Sequence, residues 1–237
     1  MKKLALITGA AKRIGAELAK GLAEDGYDLI LHYNQSKKEI HELKQVIEKK
    51  NDCNIELIQA NLADLNCIKN LAPVFNREID LLINNASCFP QRDFLEESVE
   101  SFHENMNTNF ASPLFLCQHY LKSQKNGHII NFLDCNVVKH HSFHPIYLFA
   151  KKNLAHLTTF IAVTYGPNFR CNAIAPGYIL DPSEAPRTTA ERQEKFKSIP
   201  LQSQGDPMQL LQGIRYLIST PYVTGQTLYL DGGSRLL

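Results

Sequence analysis

Apolar residues gather in short runs that show no polar alternation: LALIT (4–8), DLILHY (28–33), IELIQA (55–60), IDLLIN (79–84), GHIINFL (127–133), FRCNAIA (169–175) and TLYL (227–230). A strand covered on both faces reads this way, because neither row of side chains meets water. Longer amphipathic stretches lie between the runs and predict helices over 12–25, 36–50, 65–77, 98–122, 146–165 and 206–219. Strand and helix in alternation predict a doubly wound α/β fold, a parallel sheet of about seven strands with helices on both faces. No repeat or linker interrupts it, so a single domain over 1–237 is expected.

Residues 176–207 break the rhythm, with Pro176, Pro182, Pro186, Pro200 and Pro207 among polar neighbours. A long irregular segment inside a compact domain is more often a functional lid than a connector, which predicts a lid around 179–205. Lys and Arg total 25 against 24 for Asp and Glu. That balance offers no basic face to nucleic acid or an anionic membrane, and it leaves a small molecule as the expected partner. Six cysteines stand apart with no C-x-x-C pair, and no apolar run is long enough to span a bilayer. A reduced, cytoplasmic protein is expected. The start, MKKLALITG, has the charge of a signal n-region, but its apolar part ends at Thr8-Gly9 and predicts a first strand.

The first run leads into TGAAKRIG (8–15) and then a helix. Gly9 at the turn and Gly15 at the helix start let backbone approach a pyrophosphate, held by free N–H groups and the positive end of the helix dipole. The motif departs from G-x-G-x-x-G spacing and carries Arg13 at its centre, followed by Ile14. The second run ends LHYNQSKK, and no carboxylate stands between His32 and Lys38 to hold a free ribose 2′-hydroxyl. Arg13 with Tyr33, Asn34, Gln35, Ser36 and Lys37 suits a second phosphate instead, so NADPH/NADP+ is expected over NADH. A tight turn without ligand and a merely solvated basic loop are the bland alternatives.

Tyr147 and Lys151 stand four residues apart, on one face of the expected helix. A phenol of ordinary pKa, about 10, is a poor acid at neutral pH. A neighbouring ammonium is expected to lower that value and make Tyr147 a usable proton donor. Asp134 lies thirteen residues before Tyr147. Asp also caps turns and helices readily, which is its structural alternative.

TGAAKRIG, NNAS (84–87), Tyr147-x-x-x-Lys151, APG (175–177) and DGG (231–233) together resemble the short-chain dehydrogenase/reductase family, in family order along nearly the whole chain. The resemblance implies a Rossmann-type sheet with a nicotinamide cofactor at the switch point between the first and fourth strands. It also implies cofactor contacts at Asn61, Leu62, Asn85, Ala86, Ser87, Tyr147, Lys151, Pro176 and Gly177. Asn61 stands where family members usually carry aspartate against adenine. Asn109, in MNTNFASP, matches the family residue that interrupts a central helix and completes a proton relay; a purely structural kink is its alternative.

Members of the family ordinarily carry serine where this chain has Asp134. That acid, with Arg13, HYNQS (32–36), Phe89 after NNAS, and YVTGQTLYLDGG (222–233), is similar to pteridine reductases and dihydromonapterin reductases. Reducing a ring C=N bond places hydride on carbon and a proton on nitrogen. A carboxyl desolvated in a closed site can stay partly protonated and donate to nitrogen, whereas a serine hydroxyl only orients. The expected activity is NADPH-dependent reduction of a dihydropterin such as dihydromonapterin or dihydrobiopterin, or of dihydrofolate. Its catalytic residues would be Asp134, Tyr147, Lys151 and Asn109, with Arg13, Ser87, Phe89, Asp134 and Tyr147 against the substrate. Phe89 would stack on a flat ring, or else be core. The competing readings are a carbonyl reductase of the 3-oxoacyl-carrier-protein type and a non-catalytic NADP-binding sensor. His140, His141 and His144 lack accompanying carboxylates or cysteines, so no metal is expected. The family is commonly tetrameric, which implies a homotetramer or a dimer.

Overall fold

Seven strands form one parallel sheet: β1 (Leu4–Ile7), β2 (Asp28–Tyr33), β3 (Ile55–Gln59), β4 (Leu81–Asn84), β5 (Gly127–Phe132), β6 (Phe169–Pro176) and β7 (Thr227–Leu230). The computed structural model describes residues 2–90, 92–139, 144–182 and 186–237. Strand order is β3-β2-β1-β4-β5-β6-β7, so the chain reverses direction across the sheet between β1 and β4. Ile7 sits opposite both Leu31 and Ile83 at that junction. Ligands of open α/β sheets bind outside the carboxyl ends of the strands at such a point.

The unbroken apolar runs have a direct cause. Ile7, Ile83 and Ile130 enter one core with Leu18 and Leu22 of α1 (Arg13–Glu24) and Leu210, Leu211 and Ile214 of α8 (Pro207–Ser219). Their chain neighbours Leu6, Leu82 and Ile129 enter a second core on the opposite face. There they meet Leu116 and Tyr120 of α5 (Ser112–Ser123) and Ile161 of α6 (Pro145–Tyr165). Each such side chain contributes about 1.5–3 kcal/mol on burial. α2 (Lys37–Lys50), α3 (Cys67–Leu71) and α4 (Val99–Met106) complete the helices expected from the pattern.

Three elements differ from expectation. The helix expected over 65–77 stops at Leu71 and continues as a 3-10 turn over Ala72–Asn76, where Pro73 can offer no N–H. The helix expected over 98–122 divides into α4 and α5 around a π-type turn, Asn107–Ala111. Within the expected lid the chain forms α7 (Thr189–Lys197), started by a capping box of Thr188 and Glu191. Residues 183–185 of that lid, and His140 and His141 of the histidine cluster, lie outside the described residues. Among the described residues no group of His, Cys, Asp or Glu is arranged to hold a metal, all six cysteines are unpaired, and no helix is long and apolar enough to cross a membrane.

Candidate active site

A cleft of about 420 Å³ opens at the carboxyl ends of β1 and β4. At its floor Gly9 has φ +65°, and a Cβ there would meet Ala86 Cα at 2.8 Å. At Gly15 a Cβ would stand 2.2 Å from the Gly9 carbonyl oxygen. Neither position accepts a side chain, so bare backbone borders the cleft. The N-cap of α1, Lys12, makes no side-chain capping bond, which leaves the first-turn N–H groups for an anion.

The turn is held from behind. The Asn85 side-chain amide donates to the carbonyls of Thr8 (2.9 Å) and Gly9 (3.1 Å), and the Thr8 hydroxyl accepts from the N–H groups of Asn85 and Ala86. Asn85 thus positions the turn and also lines the cleft. His32, buried at the end of β2, accepts the Gly9 N–H on Nδ1 and donates from Nε2 to the Ala60 carbonyl, both at 3.1 Å. Only the neutral Nε2–H tautomer satisfies both partners. Burial pushes this imidazole down to about 4, which keeps it in that form.

Ile14, Tyr33, Leu62, Ala86 and Ser87 also border the cleft, and its outer end is lined by Lys12, Arg13, Asn34, Gln35, Ser36 and Asn61. Arg13 is exposed with φ +56°, a conformation that non-glycine residues adopt at a cost of roughly 1–2 kcal/mol. Glu39, one residue past the stretch free of acids, pairs with Lys12 at 2.7 Å. Asn61 accepts from the Ala63 N–H at 3.1 Å and faces the Asn34 amide at 3.4 Å. The donor set suits a dinucleotide carrying an additional phosphate on its adenosine ribose.

On the far side of Ser87 and Cys88 lies a second cavity, of about 430 Å³. Asp134, Tyr147, Phe89 and His144 line it. Asp134 caps the 3-10 turn Cys135–Val138 through Oδ1, which accepts the Asn136 N–H at 2.7 Å. Its other oxygen, Oδ2, accepts the Tyr147 hydroxyl at 3.1 Å. The capping role and the contact with the phenol therefore coexist on one side chain.

Lys151 is 2% exposed. Its Nζ donates to the Phe132 carbonyl at 2.8 Å and stands 5.7 Å from the Tyr147 ring centre. Burial pulls the ammonium down to about 8, against the attraction of Asp134. The expected lowering of the phenol is not observed. Burial, and then the Asp134 charge, hold Tyr147 well above its ordinary value, with the Ser87 hydroxyl acting the other way. The ammonium is committed to a backbone carbonyl, while the carboxylate touches the phenol directly.

Asn109 is fully buried in the π-type turn. It accepts from the Ser87 hydroxyl at 2.7 Å and donates to the Cys88 carbonyl at 3.0 Å and to Asn105 Oδ1 at 2.7 Å. The widened turn thereby clamps the segment that separates the two cavities. Phe89 is 53% exposed, so it is not core. Its ring meets Tyr147 edge-on at 4.6 Å and leans on His144 at 4.1 Å between centroids. Its partners are protein rings already at the mouth of the cavity.

A family model described as enoyl-(acyl carrier protein) reductase, of the short-chain dehydrogenase/reductase type, matches residues 9–235. The chain is a short-chain dehydrogenase/reductase. The dehydrogenase/reductase is 27% identical to the 3-oxoacyl-[acyl-carrier-protein] reductase FabG of Staphylococcus aureus over 98% of each chain. Among solved structures, it resembles the FolM alternative dihydrofolate reductase 1 of Brucella canis complexed with NADP, at 27% identity and TM-score 0.89, covering 99% of this chain and 95% of that one. It also resembles a blue fluorescent protein from a metagenomic library in complex with NADPH, at 27% identity and TM-score 0.90, covering 98% and 97%. NADP(H), the cofactor expected from the sequence, is the one both of these structures carry.

Not every expected site residue reaches a cavity of this short-chain dehydrogenase/reductase. Lys151 and Asn109 sit behind the walls, and Pro176 and Gly177 line neither space. Gly177 answers to packing, because a Cβ there would stand 2.5 Å from Asp231 Cα. Sequence reasoning assigned no role to Thr8 or His32, whose pairing across strands leaves no local signal. It also passed over Asn136, Lys139, Lys195, Ser198 and Ser234 around the second cavity. Only the Thr188-x-x-Glu191 pattern, a capping signature, announced the helix that carries Lys195.

Proposed function

We propose that the chain reduces a dihydropterin to its tetrahydro form with NADPH, the substrate class being that of dihydromonapterin, dihydrobiopterin and dihydrofolate. The observation that carries this reading is the divided carboxylate of Asp134, with Oδ1 fixed by the Asn136 N–H and Oδ2 against the Tyr147 hydroxyl. A serine hydroxyl could accept the cap N–H and still donate a hydrogen bond, but it offers no carboxyl proton for the ring nitrogen.

NADPH, held against the backbone of Gly9 and Gly15 with Arg13 at its outer end, would supply hydride to the ring carbon. Asp134, protonated from solvent, gives the ring nitrogen its proton as the hydride arrives, and the Tyr147 hydroxyl, donating to Oδ2, steadies the carboxylate that is left. Lys151 holds positive charge beneath this pair, and the N–H groups not spent on the Phe132 carbonyl are its donors toward the nicotinamide ribose. Asn109 keeps Ser87 and Cys88 in place and completes the relay. The exposed face of Phe89 stacks on the pterin, a contact worth about 0.5–1.5 kcal/mol beyond its buried area. Ser87 and Arg13 make the polar contacts to pterin and phosphates, and the segment 179–205 closes over the substrate. The assembly belonging to this reading is a homotetramer or a dimer, which would bury the apolar groove formed by Leu121, Leu157, Phe160 and Tyr165 between α5 and α6.

The second reading, carbonyl reduction of a 3-oxoacyl thioester, is favoured by the Staphylococcus aureus relative. Steady-state NADPH oxidation with dihydropterins and with an acetoacetyl thioester separates the two. Asp134→Ser should lower kcat on dihydropterins by roughly 100-fold or more, the range of a lost general acid. Full pterin activity in Asp134→Ser, together with good turnover of ketones, would overturn the proposal.

A further inference from the structure

Two lysines at the second cavity have no part in the reaction just described. Lys139 follows the 3-10 turn that Asp134 caps, and its Nζ donates to the Ser234 carbonyl at 2.7 Å. At about 2 Å of rise per residue, the five residues from Asp134 carry the chain about 10 Å along the cavity wall. Lys195 comes from α7 in the lid and lines the same space.

The acids that would ordinarily neutralise Lys195 on its own helix are engaged elsewhere. Glu191, one turn earlier, is folded back onto the backbone N–H (2.7 Å) and hydroxyl (2.8 Å) of Thr188 in the capping box. Glu194 pairs outward with Lys197 at 2.6 Å. Asp231, three residues before the Ser234 carbonyl that Lys139 reaches, accepts from the backbone N–H groups of Gly233 and Arg235 and faces the Arg235 guanidinium at 3.6 Å, while Asp134 at the other end of the cavity is taken by Asn136 and Tyr147. Among the described residues neither Lys139 nor Lys195 is ion-paired to a carboxylate. Burial raises the Cys135 thiol, the charges of Asp134 and Asp231 add to this, and Lys139 and Lys195 both act against it.

We propose that Lys139 and Lys195 form an anion subsite for the non-reacting arm of the substrate. The preferred dihydropterin then carries carboxylates on its side chain in place of a neutral polyol. This rests on the pterin reading above. With the ring nitrogen at Asp134, the arm runs along the 3-10 turn, and lid closure brings the Lys195 ammonium onto its end. Hydrogen bonds to charged groups are the stronger class, and two of them suffice for at least about a tenfold preference.

The test is the ratio of kcat/KM for 7,8-dihydrofolate, which carries two carboxylates, to that for 7,8-dihydrobiopterin, which carries none. It is measured on wild type, Lys139→Gln, Lys195→Gln, Lys195→Glu and the Lys139→Gln/Lys195→Gln double variant. The expected result is a ratio at least about tenfold lower in the double variant, lower still in Lys195→Glu, and expressed in KM. Added salt should lower the wild-type ratio and leave that of the double variant flat. Lys50→Gln, exposed at the end of α2 and away from the cavity, controls for surface charge. A ratio within twofold of wild type in the double variant, or a salt-independent wild-type ratio, overturns the subsite while pterin reduction stands. Turnover of neither dihydropterin overturns the pterin reading and the subsite with it.

Discussion

Acidification should loosen this protein through His32, and the size of the effect follows from its surroundings. The ring is 3% exposed, wedged between the Gly9 N–H and the Ala60 carbonyl, and burial holds it at about 4 against an ordinary value of 6.5. The folded state therefore binds fewer protons than the unfolded chain below pH 6.5. Stability is full above that value, falls as pH drops, and levels off below pH 4. The 2.5-unit gap, at 1.36 kcal/mol per unit, amounts to about 3 kcal/mol, a large share of the 5–15 kcal/mol typical of a domain. Protonation also destroys the acceptor that holds the Gly9 amide. Urea unfolding followed by far-UV circular dichroism at pH 7, 5.5 and 4 measures the loss. His32→Gln cannot gain the proton. It should be about 1 kcal/mol weaker at pH 7 for an imperfect hydrogen bond, yet lose about 3 kcal/mol less than wild type on going to pH 4, so the two stability curves cross. His128 titrates in the same range, pushed down to about 3 by burial and the Arg170 guanidinium, but it is common to both proteins and cancels in the difference. Equal losses in wild type and variant between pH 7 and 4 would refute the argument.

Lys151 predicts a slope of the same sign on the alkaline side. Its folded value of about 8 lies below the ordinary 10.5, so stability should rise by about 2–3 kcal/mol between pH 8 and 10, and Lys151→Met should abolish that rise in urea titrations. Gly15→Ala places a methyl 2.2 Å from the Gly9 carbonyl oxygen and should raise KM for NADPH by tenfold or more, read from NADPH saturation curves. The base of the proposed lid is pinned at Asp181, which takes the Tyr178 hydroxyl, Arg192 at 2.6 Å and Arg187 at 3.5 Å. Asp181→Asn should raise KM for the dihydropterin several-fold while leaving KM for NADPH near wild type, and an effect confined to NADPH would count against a lid role.

How much of this was legible in the sequence depends on whether a residue acts with its chain neighbours or across the fold. The strands could be read because Leu6 and Ile7, like Leu82 and Ile83, feed opposite cores, and that requirement writes an unbroken apolar run. The helix α1 and its glycines could be read because turn, cap and helix are contiguous. The break near Asn109 was visible in composition. Its consequence was not, since the contacts to Ser87 and Cys88 join residues more than twenty positions apart. His32 was hidden within an apolar strand for the same reason.

The second cavity shows the limit most clearly. Its chemistry-bearing pair, Asp134 and Tyr147, sits thirteen residues apart and was found by spacing and residue type. Its cationic wall is assembled from Lys139 after a 3-10 turn and Lys195 on a helix with almost no apolar period. A segment can fold as α7 without such a period when capping and end charges stabilise it: the Thr188–Glu191 box starts the helix, and Lys195 and Lys197 fall in its last turn, where the dipole favours them. The charge that suits the helix end is thus the one that faces the cavity. The cavity's cationic wall can change by substitution of solvent-facing residues that the sheet does not constrain, while Asp134, tied to both a cap and a phenol, cannot change without disturbing both.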